Sequence, residues 1–380
     1  MGSMLYIHIP YCKGKCIYCD FYSAGRIDWQ RYLKTLIREF SIRKDELGEC
    51  LSSIYVGGGT PSLIPEMDFK NFTDNLFKII KEKGVVLDPD FEFTIEVNPE
   101  DVNLSKITAW KEAGINRVSM GIQTLDDELL RFLHRRHDSR KALEACGLLA
   151  HNFSNFSLDF IYGIPGQTVD SLLDSVRKTL IFGPKHISTY SLTFEEKTPL
   201  GLMLRQGRVK EQEEEAYLRM DNELAQLLDA EGFERYEISN YAKPGFRSCH
   251  NSGYWHDKPY LGLGPAASSY DGFDVRRFNP SNLKDYMDWF DSAWSKGTFY
   301  KEEVLSREEK LEEHVMVSLR CREGISLTRF EERFSKEARD MLLDKSDKFL
   351  KSNDLIIDGD SLQLSQKGIA ISDYIILSLI

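Results

Sequence analysis

The chain lacks any apolar run long enough to cross a membrane. The longest near its end, Tyr374 to Ile380, falls far short of the ~20 residues that a spanning helix needs. It lacks a basic excess: 49 Lys+Arg stand against 60 Asp+Glu, a net charge of −11, which argues against nucleic-acid binding by the whole surface. No secretory leader, internal repeat or low-complexity tract is visible. Cysteine is scarce and odd in number, seven in 380 residues, so a disulfide framework is excluded and a cytoplasmic location is expected. Nucleic acid is not an expected partner, and no transmembrane segment is expected.

Three of those seven cysteines stand together. Cys12, Cys16 and Cys19 share one short loop, Cys-x-x-x-Cys-x-x-Cys, directly after a strand-like run from Leu5 to Ile9. Three thiolates on such a loop can hold three irons of a cubane iron–sulfur cluster and leave the fourth iron free for another ligand. A zinc site with His8 as the fourth ligand is the alternative reading. His8 lies in the strand, so the pleat rather than the loop sets its direction.

Strand-like and helix-like patterns alternate from residue 4 to about 245. The strands read as Leu5 to Ile9, Ile54 to Val56, Phe91 to Val97, Arg117 to Ile122, Leu158 to Tyr162 and His186 to Leu192. Helical patterns fill the gaps, among them Trp29 to Phe40 and Glu211 to Ala230. Six such units predict parallel strands with helical crossovers and a partial, open barrel rather than a closed one. The polar motifs all fall at or near strand ends. The cysteine loop follows the first strand, and Gly57-Gly58-Gly59-Thr60-Pro61 follows the second. Glu96 ends the third, Gln123 ends the fourth, and Asp159 lies in the fifth. In barrels of this kind the C-terminal strand ends build the site, so these groups are expected to meet at one mouth.

The cysteine loop resembles the signature of the radical S-adenosylmethionine (SAM) superfamily. That resemblance implies an α/β fold, an open (β/α)6 TIM-like barrel, and a 4Fe-4S cluster on Cys12, Cys16 and Cys19 whose open iron chelates SAM. It further implies SAM contacts from Tyr6, from Gly58, Gly59 and Thr60, and from Glu96, Gln123, Arg135 and Asp159. Arg135 corresponds to the arginine that pairs with the SAM carboxylate, a role that suits a planar guanidinium fork.

Over almost the whole chain the likeness is to the group that contains the oxygen-independent coproporphyrinogen III oxidases and the related heme chaperones. The oxidases carry a further cysteine two residues after the third; here that position is Phe21. Eleven residues precede Cys12, leaving no room for the extension that helps to cover the oxidases' substrate. His250-Asn251-Ser252-Gly253-Tyr254-Trp255 resembles the His-Asn-x-x-Tyr-Trp stretch associated with heme binding in the chaperone branch. It implies His250 as an axial ligand, with Tyr254 and Trp255 packed on the macrocycle. Cys249, next to it, is either a soft thiolate ligand or inert. The implied function is a heme chaperone that binds heme and passes it to acceptor proteins, with a homodimer compatible. The alternative is an enzyme of porphyrin metabolism that oxidatively decarboxylates coproporphyrinogen III.

Three regions are expected: a barrel domain over 1–245, a connecting region over 246–300, and a small C-terminal domain over 301–380. The last reads as helices followed by a hairpin, Leu355 to Ile357 and Leu362 to Leu364 around Asp358-Gly359, a winged-helix-like pattern. Its 13 Lys+Arg and 17 Asp+Glu (13 − 17 = −4) have the wrong sign for phosphate contact.

Overall fold

The computed structural model describes residues 2–25, 27–292 and 298–380. Six strands, β1 (Ser3–Ile9), β2 (Cys50–Gly58), β3 (Val86–Val97), β4 (Arg117–Gln123), β5 (Phe156–Tyr162) and β6 (His186–Ser191), pair side by side in sequence order, all parallel. Helices Trp29–Arg43, Glu66–Lys83, Leu104–Glu112, Ser139–Asn152 and Val169–Leu180 make the crossovers. Strands covered on their helix side read as apolar: Leu5, Ile7 and Ile9 of β1, and Phe93, Ile95 and Val97 of β3, are buried in the main core. Local chemistry starts the helices. The side chains of Asp28, Asn103, Asp138 and Thr168 each accept a bond from a first-turn backbone N–H.

The sheet stays open, as the count of six units predicts. On one side β6 is followed by the antiparallel β8 (Asn240–Ala242) and then β7 (Glu234–Arg235). On the other, β1 pairs in parallel with β9 (Tyr260–Leu263), which continues into β10 (Ser268–Tyr270), β11 (Val275–Phe278) and β12 (Lys301–Val304).

The described residues between 246 and 300 contribute the strands β9, β10 and β11. They extend the same sheet, and Leu261, Leu263, Tyr286, Met287 and Phe290 enter the same core. A buried polar knot ties them down. Glu39, fully buried on helix Trp29–Arg43, accepts from Arg43 Nη1 (3.0 Å), Asn279 Nδ2 (2.7 Å), Tyr286 Oη (2.5 Å) and the Gly264 N–H (2.8 Å). Arg43 donates onward to the Gly262 carbonyl and to Ser269 Oγ. Strands of three or four residues carry too little periodicity to be read from sequence.

The C-terminal part has its own core around Val315, Leu319, Ile325, Phe330, Phe349 and Leu362. Helix Arg307–Arg320 leads into β13 (Ile325–Ser326), helices Leu327–Arg333 and Lys336–Lys351, and the hairpin β14 (Leu355–Asp358) and β15 (Ser361–Leu364). Gly359, at φ 59°, takes the left-handed position of the hairpin turn. Two backbone bonds stitch this domain to the β7–β8 turn: Ile238 N to Arg320 O and Arg322 N to Tyr236 O, both 3.0 Å. Beside that joint is a cleft of about 540 Å³ where Asp229, Glu234 and Glu237 offset Arg235, Arg320 and Arg322. Among the described residues no helix is long and apolar enough to cross a membrane.

Candidate functional site

A cavity of about 720 Å³ opens at the C-terminal ends of the parallel strands. Cys12, Cys16, Cys19, Gly58, Gly59, Thr60, Glu96, Gln123, Arg135 and Asp159 all line it, although they come from five successive strand ends. Tyr6 does not. It sits behind the wall, its hydroxyl 2.9 Å from His8 Nδ1 and its ring stacked at 6.3 Å on Tyr55.

The thiols face a polar shell. Thr60 Oγ1 donates to Cys12 Sγ at 3.5 Å, and Arg135 Nη1 lies 3.6 Å from Cys16 Sγ. Burial pushes the Cys12 and Cys19 thiols up. The Thr60 hydrogen bond works the other way at Cys12, and a backbone bond from Phe21 does so at Cys19. Arg135 is held by Asn98 Oδ1 and the Gly121 carbonyl, both at 2.8 Å, while its buried Nε has no partner. Phe21 is 65% exposed at the cavity rim.

The glycine run has a packing reason as well as the expected one. A Cβ on Gly58, at φ 106°, would sit 2.5 Å from the His8 ring, and one on Gly59 would sit 2.6 Å from the Tyr11 carbonyl. Gly59 and Thr60 then bond the loop backbone at Ile9 O (2.7 Å) and Tyr11 O (2.8 Å), locking the cysteine loop to β2. Gln123, at φ 70°, holds a conformation that a non-glycine residue rarely adopts.

Two carboxylates face the cavity interior. Glu96 accepts from Tyr55 Oη (2.7 Å, on Oε1) and from the Gly58 N–H (2.9 Å, on Oε2); burial nevertheless pushes it up to about 7. Asp159 is also pushed up by burial, against hydrogen bonds that include Ser119 Oγ at 3.1 Å. Arg117, buried at the start of β4, lines the same cavity and has an unpartnered Nε.

The motif helix Cys249–Trp255 lies outside this cavity, and only Asn251 reaches it. His250 is 1% exposed and both ring nitrogens are engaged: Nδ1 with Ser53 Oγ at 2.8 Å, Nε2 with Tyr254 Oη at 3.1 Å. Its ring stacks on Tyr55 at 5.0 Å and 26°, and burial pushes it down to about 3, so it is a neutral imidazole. In this conformation neither imidazole nitrogen takes a further ligand without losing a partner. Trp255 lies beneath the Arg320 guanidinium, 4.9 Å from its centroid, with Nε1 buried and unpartnered. Cys249 Sγ faces the Ser52 carbonyl at 3.7 Å.

Three wall residues escape a motif search: Tyr55, Glu92 and Arg117. Glu92 caps the motif helix, accepting from Ser248 Oγ (3.2 Å) and the N–H groups of Cys249 (2.9 Å) and His250 (3.3 Å). Alternation does place Glu92 on the face of Glu96, but nothing in the sequence names its partners.

Residues 6–179 match the radical SAM superfamily, and residues 305–371 match the HemN C-terminal domain. The heme chaperone HemW of Bacillus subtilis is 34% identical over 336 residues, 87% of this chain and 86% of that protein. The heme chaperone HemW of Lactococcus lactis is 30% identical over 380 residues, 97% of this chain and 95% of that protein. The structure of the coproporphyrinogen III oxidase HemN from Escherichia coli matches all of this chain and 90% of its own with a TM-score of 0.82; at 21% identity this is a likeness of fold.

The superfamily implies a 4Fe-4S cluster and SAM, and the residues present fit both. Three thiols and a buried guanidinium with an unpartnered donor share one cavity with room beyond them. His8 lies off the cavity that the three cysteines line, which disfavours it as the fourth ligand of a zinc site. The fold is common to both branches, and identity over nearly the full length is what separates them: the chain belongs to the heme chaperone HemW family of the radical SAM superfamily.

Proposed function

We propose that the protein takes up heme and passes it to acceptor proteins in the cytoplasm, with a 4Fe-4S cluster on Cys12, Cys16 and Cys19 and exchangeable SAM beside it. The observation that carries this reading is the 34% identity to a protein named as a heme chaperone, which extends across the motif helix. Phe21, where the oxidases carry a cysteine, supports the same branch.

When bound, the cluster supplies the electron and the Lewis-acid corner at which SAM is chelated and can be reductively cleaved. The chain's own residues do the rest. Arg135, held by Asn98 and Gly121, offers its fixed charge to a carboxylate. Glu96 and Asp159 accept from hydroxyl or ammonium donors, and Gly58, Gly59, Thr60 and Gln123 shape the wall. His250, Tyr254 and Trp255 provide a ligand and two broad aromatic faces for heme. Ligation by His250 requires the ligating nitrogen to give up its partner, Ser53 at Nδ1 or Tyr254 at Nε2.

The test is a heme titration of cluster-reconstituted protein, followed at the Soret band. Binding that is weakened by His250→Ala is expected; an absence of heme binding overturns the reading. Conversion of coproporphyrinogen III to protoporphyrinogen under anaerobic conditions would move the protein to the oxidase branch.

A further inference from the structure

One side chain separates the SAM cavity from His250. Tyr55 lines the cavity, donates its hydroxyl to Glu96 Oε1 at 2.7 Å, and presents its ring face to the His250 imidazole at 5.0 Å. Two positions earlier on the same face of β2, Ser53 holds His250 Nδ1. Four positions before Glu96 on the same face of β3, Glu92 caps the helix that carries His250. Arg117 completes the wall, its Nε 3.8 Å from Glu92 Oε2 while its side chain lines the cavity. Strands β2 and β3 thus each show the cavity one group and hold the motif helix with another on the same face, and Arg117 of β4 backs Glu92 from the cavity side.

We propose that Tyr55 is a positioning residue that couples SAM occupancy to the availability of His250: SAM seated against Glu96 holds the Tyr55 ring on His250, so SAM and heme oppose each other. The inference rests on the heme-binding reading above. Its direction follows from the chemistry of Glu96. A carboxylate oxygen accepts more than one hydrogen bond, so a ligand donor adds to the Tyr55 bond rather than displacing it. A cationic ligand favours the ionised carboxylate, the stronger acceptor, and so anchors the phenol more firmly. In the empty cavity burial keeps Glu96 partly protonated near neutrality, and Asp159 and Arg117 are the charged groups that face it. Freed from that anchor, the ring can leave the imidazole, and His250 then has only Ser53 or Tyr254 to lose.

The coupling is reciprocal, which makes it measurable from either side. Heme is titrated into cluster-reconstituted protein, without reductant, at zero and at saturating SAM. In the wild type SAM is expected to raise the heme Kd by roughly 5- to 10-fold. Tyr55→Phe keeps the ring and loses only the bond to Glu96; measured at SAM concentrations that saturate the variant, the ratio should fall to within about twofold of unity. S-adenosylhomocysteine, which lacks the sulfonium charge, should give a smaller ratio than SAM in the wild type. An undiminished ratio in Tyr55→Phe, or a heme Kd that is blind to SAM, overturns the coupling. A second readout does not involve heme: SAM should slow amide exchange over 249–255 in the wild type and not in Tyr55→Phe. If heme fails to bind, the chaperone reading falls, while this exchange experiment still decides whether Tyr55 carries the signal; unchanged exchange in the wild type sinks it.

Discussion

The barrel mouth and the surroundings of His250 lie one side chain, Tyr55, apart and treat their polar groups in opposite ways. At the mouth, Arg135 keeps a buried nitrogen without a partner, Gln123 holds an unusual backbone angle, and two half-buried carboxylates share one cavity. Around His250 the polar side-chain atoms of Ser53, His250 and Tyr254 are paired, and the imidazole does not line the barrel-mouth cavity. Unmet hydrogen-bonding capacity inside a protein is costly, so it persists where a ligand completes it. The mouth is a site waiting for groups to bind; the motif helix is a closed one that has to be opened. The following experiments break or sharpen that contrast.

The largest effect is expected at the mouth. Cys16→Ala leaves two thiols, and bound iron and sulfide after anaerobic reconstitution should fall to background. Heme titration of the same variant should still give a Soret band, because His250 shares no contact with the cysteine loop. Loss of both together would show that the two regions are one site.

Behind the wall, Glu92→Ala removes three hydrogen bonds to the start of the motif helix and takes from buried Arg117 the carboxylate that lies 3.8 Å from its Nε. Breaking such a buried pair costs roughly 3–5 kcal/mol, seen as a lower denaturation midpoint. A change below ~1 kcal/mol would mean that solvent already reaches this wall.

Glu96 sets a pH dependence. Its folded pKa, about 7, is raised above the ordinary carboxylate value near 4.3, so the folded state binds the extra proton between those limits. Its contribution to stability is therefore fully present below about pH 4.3 and is lost as pH rises through about 7. SAM, being cationic at sulfur, favours the ionised form, so SAM affinity should rise on the order of tenfold from pH 6 to pH 8. Glu96→Gln should flatten that rise; an unchanged profile would assign it to Asp159 instead.

The smallest effect is the most telling about the closed helix. Tyr254→Phe removes the partner of His250 Nε2 and should cost about 1 kcal/mol of stability. The same change leaves Nε2 without a competing partner, so heme affinity should rise slightly. A fall would make the Tyr254 hydroxyl a heme contact in its own right.

How much of this was legible beforehand depends on the distance over which each feature is encoded. The six parallel strands follow from alternating patterns of local range, and the cavity residues sit at strand ends that those patterns mark. The reach of β3 back to Val86 was missed, because Asp88, Pro89 and Asp90 interrupt the alternation. Strands β9, β10 and β11 were missed because each is only three or four residues long, and the Glu39–Arg43 knot that anchors them spans more than 200 positions. Tyr55 and Glu92 looked like ordinary strand residues, since their partners come from a helix about 150 to 200 positions away.

Three thiols within eight positions, glycines at a strand end and polar residues on one face of a strand are local facts, and the sequence alone determined that a three-cysteine loop and a polar barrel mouth would form. Whether His250 faces iron or a serine is a different kind of fact. It turns on which strand its helix packs against, a contact across 197 positions in which burial, Ser53, Tyr254 and the Tyr55 ring together claim the imidazole. Only the folded chain could decide that, because the competing partners exist only once the sheet has brought them together.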